Sequence, residues 1–146
     1  EMINSFRKEF GWLSNMYYCE MKYEGHIFKS VENAYMWAKN KEDKDWLNAC
    51  LCNEPNVVKK LSKEINIRED WEDVKLKVMY ELLLLKFKQE PFKTKLKNTG
   101  LENIQEGNFW NDKFWGVCLK SNPNEGENHL GRLIMHIRLL IQKNKL

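Results

Sequence analysis

The feature that most constrains the fold is a long amphipathic segment that follows Asp70. Its apolar residues recur at intervals of three and four over roughly five turns, which is the period of a helix with one broad buried face. Asp70 itself belongs to the residue types that cap the first turn of a helix. The pattern therefore predicts a central helix that anchors the core. Its apolar positions are Trp71, Val74, Val78, Met79, Leu82, Leu83 and Leu85.

Shorter helices are predicted on both sides of the central one. Ser30 offers an N-cap for a helix over residues 31–40, in which apolar residues fall at helical spacing. Pro55 can open another helix, because the N–H that proline lacks would be unpaired at the first helical position. Further helical patterns cover residues 46–52 and 91–97. A last helix is expected to begin near Leu130 and to bury Leu133, Ile134, Ile137 and Ile141.

Strands are predicted at three places. Alternating apolar and polar residues from Cys19 onward, interrupted by Glu24-Gly25, indicate a β-hairpin. Residues 101–106 and 115–120 also have strand patterns and are expected to close a small antiparallel sheet. Together with the helices, these strands predict an α+β, mostly helical fold. Because a chain of 146 residues has the size of a single domain, we expect residues 2–146 to form one domain.

Composition argues against several classes of protein. The net charge of +3 arises from 24 basic and 21 acidic residues in an even mixture, so no basic arm indicates a long duplex footprint. The longest apolar run, Leu82–Leu85, is far shorter than the ~20 residues that span a bilayer, and we expect no membrane association. Four cysteines without a secretory signal favour reduced thiols and a cytoplasmic location. The three histidines lack paired ligand spacing, which predicts no metal site.

Three segments carry more polar and aromatic residues than a core requires, and we expect them to line one pocket. They comprise residues 10–16, residues 29–35, and residues 106–116 with 126–131 downstream. Each also has a purely structural explanation: Glu32 can complement a helix dipole, Asp112 can form an Asx turn, and Trp115 can pack in the core. Residue chemistry alone leaves both explanations open.

Six short motifs follow one another in these segments and beyond them. They are Leu13-Ser14-Asn15; Tyr23-Glu24-Gly25; Ser30-Val31-Glu32-Asn33-Ala34-Tyr35 with Lys39; Trp71 with Met79 and Lys86-Phe87; Asp112 with Phe114-Trp115-Gly116; and Gly126-x-Asn128-x-Leu130-Gly131 with Met135 and Arg138. In this order and spacing, over residues 6–138, the chain resembles the NADAR family. Two positions depart from the family pattern, because Asn33 stands where His is frequent and Met36 stands where Gln is common.

The resemblance implies a reaction class. Members of this family are associated with cleavage of N-glycosidic bonds of ribose, without a cofactor. Some resemble hydrolases of early riboflavin-pathway intermediates, and others remove ADP-ribose from guanine bases. The expected substrate is therefore ADP-ribosylated guanine, as a nucleotide or within nucleic acid such as a short single strand. Two alternatives stay open: an N-glycosidase of riboflavin-pathway intermediates, and a non-catalytic module that binds NAD or ADP-ribose.

The resemblance also implies which residues perform the chemistry. Breaking such a bond passes through an oxocarbenium-like state that a nearby carboxylate can stabilise. Glu32 is expected to hold the ribose hydroxyls and to transfer protons, and Asp112 to orient ribose or water, although the two roles could be exchanged. Lys39 could bind phosphate or attack a ring-opened sugar as a Schiff-base nucleophile. The departure at Asn33 removes a possible acid–base partner.

Substrate-binding residues are implied around these three. Aromatic side chains could stack on a base, and the two polar residues after Leu13 could donate to ribose or phosphate oxygens. Two glycines would let backbone N–H groups approach a phosphate. The expected binding residues are Ser14, Asn15, Tyr35, Trp71, Trp115, Gly116, Asn128 and Gly131.

Overall fold

The computed structural model describes residues 2–146. The chain divides into two compact units. Unit 1 comprises Phe87–Leu146 together with Ser14 and the residues before it, and unit 2 comprises Asn15–Lys86. Helices and short strands occur in both units, so the predicted α+β class is confirmed. The expectation that residues 2–146 form a single domain stays a prediction.

The elements are named in chain order. They are β1 (Met2–Ile3), a 3-10 helix (Lys8–Leu13), β2 (Met21–Tyr23), β3 (His26–Phe28), α1 (Val31–Ala38), α2 (Lys44–Cys52), α3 (Pro55–Leu61), a second 3-10 helix (Ser62–Glu64), α4 (Trp71–Phe87), α5 (Phe92–Lys97), β4 (Asn103–Ile104), β5 (Gly107–Asn108), β6 (Val117–Cys118) and α6 (His129–Gln142).

Unit 2 begins with the predicted hairpin. Strands β2 and β3 pair antiparallel, with Met21 opposite Phe28. The turn between them places Glu24 at φ 47° and Gly25 at φ 83°. Two successive positive φ values match the twist of a tight hairpin, and glycine adopts such a value at little cost. The hairpin prediction is therefore confirmed.

Helix α1 follows the hairpin and is buried along its whole length. Ser30 caps it as predicted, because its hydroxyl accepts the N–H of Asn33 at 3.1 Å. The helix ends at Ala38, two residues before the predicted end. Burial of every position means that its polar residues, Glu32 and Asn33, need partners or a use inside the protein.

Helix α4 is the predicted central helix. Its buried residues include Trp71, Val78, Met79, Leu82, Leu83 and Phe87. Asp70 directly precedes the helix as predicted, and its backbone carbonyl accepts from Asp73 and Val74, but its carboxylate pairs with the Arg68 guanidinium at 2.6 and 2.9 Å. The arginine two residues earlier competes with the helix N–H groups for the same oxygens.

In unit 1 the strands differ from the prediction. Residues 101–106 and 115–120 do not pair with each other in an antiparallel sheet. Instead β4 pairs in parallel with β1, and β5 pairs in parallel with β6. Each strand has only two residues, so no alternation in the sequence could identify its partner. Helix α6 is confirmed, with Leu130, Ile134, Ile137 and Ile141 buried, although Leu133 is only partly buried.

The remaining expectations concern thiols, membranes and metals. All four cysteines are free thiols, of which Cys19, Cys50 and Cys118 are buried and Cys52 is exposed. Within residues 2–146, no helix has the length and apolar character needed to cross a membrane. The same residues hold no group of three or more His, Cys, Asp or Glu side chains placed to share a metal ion.

Candidate functional site

The predicted site residues fall into two groups, one in each unit. Unit 2 contains Asn15, Glu32, Tyr35, Lys39 and Trp71. Unit 1 contains Ser14, Asp112, Trp115, Gly116, Asn128 and Gly131. Each group is described by itself, and the expectation of one shared pocket stays a prediction.

Glu32 is the buried carboxylate of unit 2. It is the second residue of α1, only 8% of it is exposed, and its N–H donates to the Asn15 carbonyl at 3.0 Å. The positive end of the helix dipole favours a carboxylate at this position. A buried carboxylate is nevertheless costly in a purely structural role. Glu32 is also close enough to Lys39 to stabilise its charged form, which partly offsets the lowering of the Lys39 pKa by burial.

Lys39 lies one turn beyond the aromatic part of the group. Its Nζ is 5.9 Å from the ring centroid of Tyr35 and 5.9 Å from that of Trp71. The two rings are themselves 5.0 Å apart at an interplanar angle of 57°. Glu32, Tyr35 and Lys39 fall at helical spacing, so α1 directs their side chains to one face. The structure thus brings four of the five unit 2 residues together.

The pKa of Lys39 is lowered, chiefly because burial disfavours the charged ammonium. Lys59 and Lys75 lower it further by repulsion, while Glu32 and Glu72 oppose the shift. A lowered pKa increases the fraction of neutral amine, which is the form that attacks a carbonyl carbon. The charged form binds anions, so this environment is compatible with both roles predicted for Lys39.

Asn15, the fifth residue, is 9% exposed and contacts α4. Its Nδ2 donates to the Met79 sulfur at 3.5 Å. Its Oδ1 is buried and has no hydrogen-bond partner anywhere in residues 2–146. Buried amide oxygens are normally paired, so this oxygen has an unused capacity to accept a hydrogen bond. The sequence predicted a donor here, whereas the geometry offers an acceptor.

Asn33, the departure from the family pattern, has a structural use. Its Oδ1 accepts the Ser30 hydroxyl at 2.6 Å, and its Nδ2 donates to the carbonyls of Cys50 and Asn53, both at 2.9 Å. The fully buried side chain therefore ties α1 to the end of α2. Sequence reasoning missed this role, because the two carbonyls that Asn33 bonds lie 17 and 20 residues further along the chain.

In unit 1 the Asp112 carboxylate organises its own loop. Its Oδ1 accepts the N–H groups of Phe114 at 3.1 Å and Trp115 at 2.9 Å. Asn108, which the sequence analysis did not single out, accepts the Asp112 N–H at 3.0 Å and donates to the Asp112 carbonyl at 2.9 Å. This is the Asx-turn explanation, and it leaves the proposed chemical role of Asp112 untested. Trp115 is half-buried and packs edge-on against Phe114.

Asn128 and the two glycines hold backbone segments close together. The Asn128 Oδ1 accepts the Glu106 N–H at 3.0 Å, and its Nδ2 donates to the Ile104 carbonyl at 2.9 Å. A Cβ at Gly131 would collide with that same carbonyl, and one at Gly116 would collide with Glu106. Their predicted contact with substrate stays a prediction. Ser14 ends the first 3-10 helix, with its N–H bonded to the Gly11 carbonyl at 3.0 Å.

Unit 1 also contains a cavity of about 320 Å³ that includes none of the predicted site residues. Aromatic side chains from the first 3-10 helix and polar side chains from α5 and the following loop surround it. Its lining residues are Ile3, Phe10, Trp12, Lys95, Asn98, Thr99 and Glu102. Phe10 and Trp12 come from the first polar and aromatic segment, so that segment contributes to a cavity other than the one expected.

Comparison with known proteins gives consistent matches. The NADAR domain matches residues 3–142. N-glycosidase YbiA from Escherichia coli is 27% identical over 140 residues, which cover 92% of this chain and 85% of that protein. The NMR structure of Escherichia coli YbiA is similar to this one, with a TM-score of 0.80 and 26% identity. That match covers 100% of this chain and 88% of the other.

Two further relatives carry names from riboflavin biosynthesis. A riboflavin biosynthesis protein from Vibrio vulnificus is 28% identical over 137 residues, or 92% of this chain. The chloroplastic riboflavin biosynthesis protein PYRR from Arabidopsis thaliana is 38% identical over 72 residues, or 49% of this chain. The matches cover 36% and 12% of those two proteins. The chain therefore corresponds to one part of each longer relative.

Proposed function

The chain belongs to the NADAR family, and from this premise we propose that it is an N-glycosidase that hydrolyses the bond between C1 of a phosphorylated ribose and a nitrogen. We propose ADP-ribosylated guanine as the substrate, free or within a short single strand. The name of the YbiA relative supports the reaction class. The observation that carries the proposal is the buried Glu32 beside Lys39 and the paired rings of Tyr35 and Trp71.

The chemistry that these groups can perform follows from charge. As the C1–N bond breaks, positive charge develops on C1 and the ring oxygen, and the Glu32 carboxylate stabilises it. The leaving nitrogen takes a proton from solvent, water adds to C1, and the proton that this water loses passes to Glu32, which returns it to solvent. The Asn15 Oδ1 accepts from a ribose hydroxyl, and the rings of Tyr35 and Trp71 pack against the base or the sugar.

Lys39 offers a second route to the same products. In a ring-opened substrate its neutral amine adds to C1, the base leaves with a proton from that amine, and a C1=N bond to Lys39 remains. Water then adds to C1 and releases the sugar as an aldehyde, which restores the amine. The lowered pKa of Lys39 supports this route. Asp112 is proposed to orient ribose or water, on the strength of the family motif.

A second candidate substrate is a riboflavin-pathway intermediate, a phosphorylated ribosylamine. Its support is the name of the Vibrio vulnificus protein that matches 92% of this chain. The non-catalytic binding module is less consistent with Glu32, because a buried carboxylate is costly when it only binds a neutral sugar. Asn33 stands where His is frequent in the family, which makes a match to the riboflavin-pathway members weaker, and for this reason we rank hydrolysis of ADP-ribosylated guanine first.

The test compares the two substrates directly. Purified protein is incubated with ADP-ribosylated guanosine and, separately, with a phosphorylated ribosylaminopyrimidine, and the products are resolved by chromatography with mass detection. Release of free ADP-ribose with intact guanosine is the expected result. Release from the pyrimidine substrate alone would favour the second candidate. Retention of ADP-ribosylated guanosine without release of ADP-ribose would contradict hydrolysis and favour a binding module.

A further inference from the structure

Lys75 occupies an unusual place for a lysine in unit 2. It lies one helical turn after Trp71 in α4, so the two side chains share a helix face. The Trp71 ring is 5.9 Å from the Lys39 Nζ. The face of α4 that carries Lys75 therefore borders the group formed by Glu32, Tyr35 and Lys39.

Burial separates Lys75 from the ordinary surface lysines of this chain. Its side chain is only 15% exposed, whereas its ion-pair partner Glu72, with Nζ and Oε1 2.8 Å apart, is 78% exposed. Lysines are seldom buried to this extent unless they serve a partner. The exposed glutamate can leave its lysine at little cost, because water solvates it readily.

Charged side chains of both signs act on Lys39. Lys59 and Lys75 lower its pKa by repulsion, whereas Glu32 and Glu72 raise it by attraction. Repulsion among like charges is unfavourable in a partly buried site. A ligand that carries negative charge would relieve it.

We propose that Lys75 binds the phosphate group of the substrate beside Glu32 and Lys39. The proposal deepens the proposed function and rests on it for the identity of the site. Lysine suits this task because its ammonium is a compact charge on a flexible stem that follows phosphate oxygens. The phosphate is a 5′-monoester or the diphosphate of ADP-ribose, and both present negatively charged non-bridging oxygens. Lys39 then remains available to react with C1 of the sugar.

Equilibrium binding tests the subsite without turnover. The probes are ribose 5-phosphate and ribose, titrated by calorimetry into the wild type, Lys75→Met and Lys77→Met. Lys77 is the matched control, because it lies on the same helix, is exposed and carries the same charge. We expect Lys75→Met to weaken the binding of ribose 5-phosphate about tenfold or more and to leave ribose unchanged. Lys77→Met should behave as the wild type.

Three results overturn the subsite. The first is that the wild type binds ribose 5-phosphate no more tightly than ribose. The second is that Lys75→Met and Lys77→Met bind ribose 5-phosphate with equal affinity. The third is that Lys75→Met loses affinity for ribose 5-phosphate and for ribose to the same extent. If Lys75→Met fails to fold, Lys75→Gln carries the test against Lys77→Gln, with loss confined again to the phosphorylated probe. Lys75→Arg should keep most of the affinity.

Failure of the subsite and failure of the proposed function give different results. If the protein hydrolyses ADP-ribosylated guanosine with the same KM in Lys75→Met as in the wild type, the activity stands and the subsite is wrong. If no substrate is hydrolysed but Lys75→Met alone loses ribose 5-phosphate, the subsite stands and the activity is wrong.

Discussion

Glu32 and Asp112 are two carboxylates in different environments. Each was predicted from a family motif, but Glu32 lies buried in α1, whereas Asp112 is half-buried and accepts from the N–H groups of Phe114 and Trp115. The sequence identified both carboxylates. It could not separate their environments, because exposure and backbone partners depend on the loop that forms around them.

For Asp112, substitution separates the loop role from the chemical one. Asp112→Asn keeps an Oδ1 that accepts from Phe114 and Trp115, so the thermal unfolding midpoint should stay near that of the wild type. It removes the negative charge, and we expect kcat to fall about 100-fold or more if the carboxylate takes part in proton transfer or orientation. Full activity in Asp112→Asn would show that the turn is its whole role.

At the scale of elements, the long helices and the hairpin were predictable. Helix α4 has buried apolar residues at helical spacing, although Val74 and Leu85 are only partly buried. Helix α1 has its serine cap, and the hairpin has an acidic residue and a glycine at its turn. The strands of unit 1 were not predictable as they stand. A strand of two residues is too short to show an alternating pattern. In addition, β1 pairs with β4, about a hundred residues further along the chain, so the local sequence does not indicate the pairing.

Asn33 links two elements, and its removal should destabilise the protein. Asn33→Ala leaves the carbonyls of Cys50 and Asn53 without their donor in a buried place. We expect the free energy of unfolding to fall by about 1–3 kcal/mol for each buried group left unpaired, measured by chemical denaturation. The control is Asn40→Ala, whose Nδ2 bonds the Asn66 carbonyl at an exposed site where water can replace it. An equal loss of unfolding free energy in the two variants would contradict the role of Asn33 in linking α1 to the end of α2.

At the scale of the whole molecule, the fold class and the family were readable from the sequence, since six motifs span nearly the whole chain and the NADAR domain matches residues 3–142. The distribution of the site residues was not readable. Asn15 and Ser14 are neighbours in one motif, yet they belong to different compact units. The order of the motifs identifies the residues that the family shares, but it does not indicate which of them pack together.

Stability should depend on pH through Lys86. The side chain is fully buried, and burial lowers its pKa from 10.5 to about 7. Between these values the unfolded chain binds a proton that the folded protein does not, so the free energy of unfolding rises with pH, by about 1.4 kcal/mol per pH unit from this group. Below pH 7 both states are protonated and the contribution is constant.

Denaturation of the wild type and of Lys86→Met at several pH values between 7 and 9 isolates this effect. Lys86→Met lacks the titrating group, so the difference in unfolding free energy between the two proteins should shift in favour of the wild type as the pH rises. Cys50, whose pKa burial raises to about 12, is present in both proteins, and its effect cancels in the difference. A difference independent of pH would contradict a neutral buried lysine.

The central claim is that Glu32 performs the hydrolysis, and the most direct test is the rate of ADP-ribose release from ADP-ribosylated guanosine by the wild type and by Glu32→Gln. Glutamine keeps the size of the side chain and one acceptor oxygen, replaces the other oxygen with an NH2 group and removes the charge. Glu64→Gln, at an exposed position, is the matched control. We predict release by the wild type and by Glu64→Gln, and a rate about 100-fold or more lower for Glu32→Gln. Release by Glu32→Gln at the wild-type rate would contradict the claim.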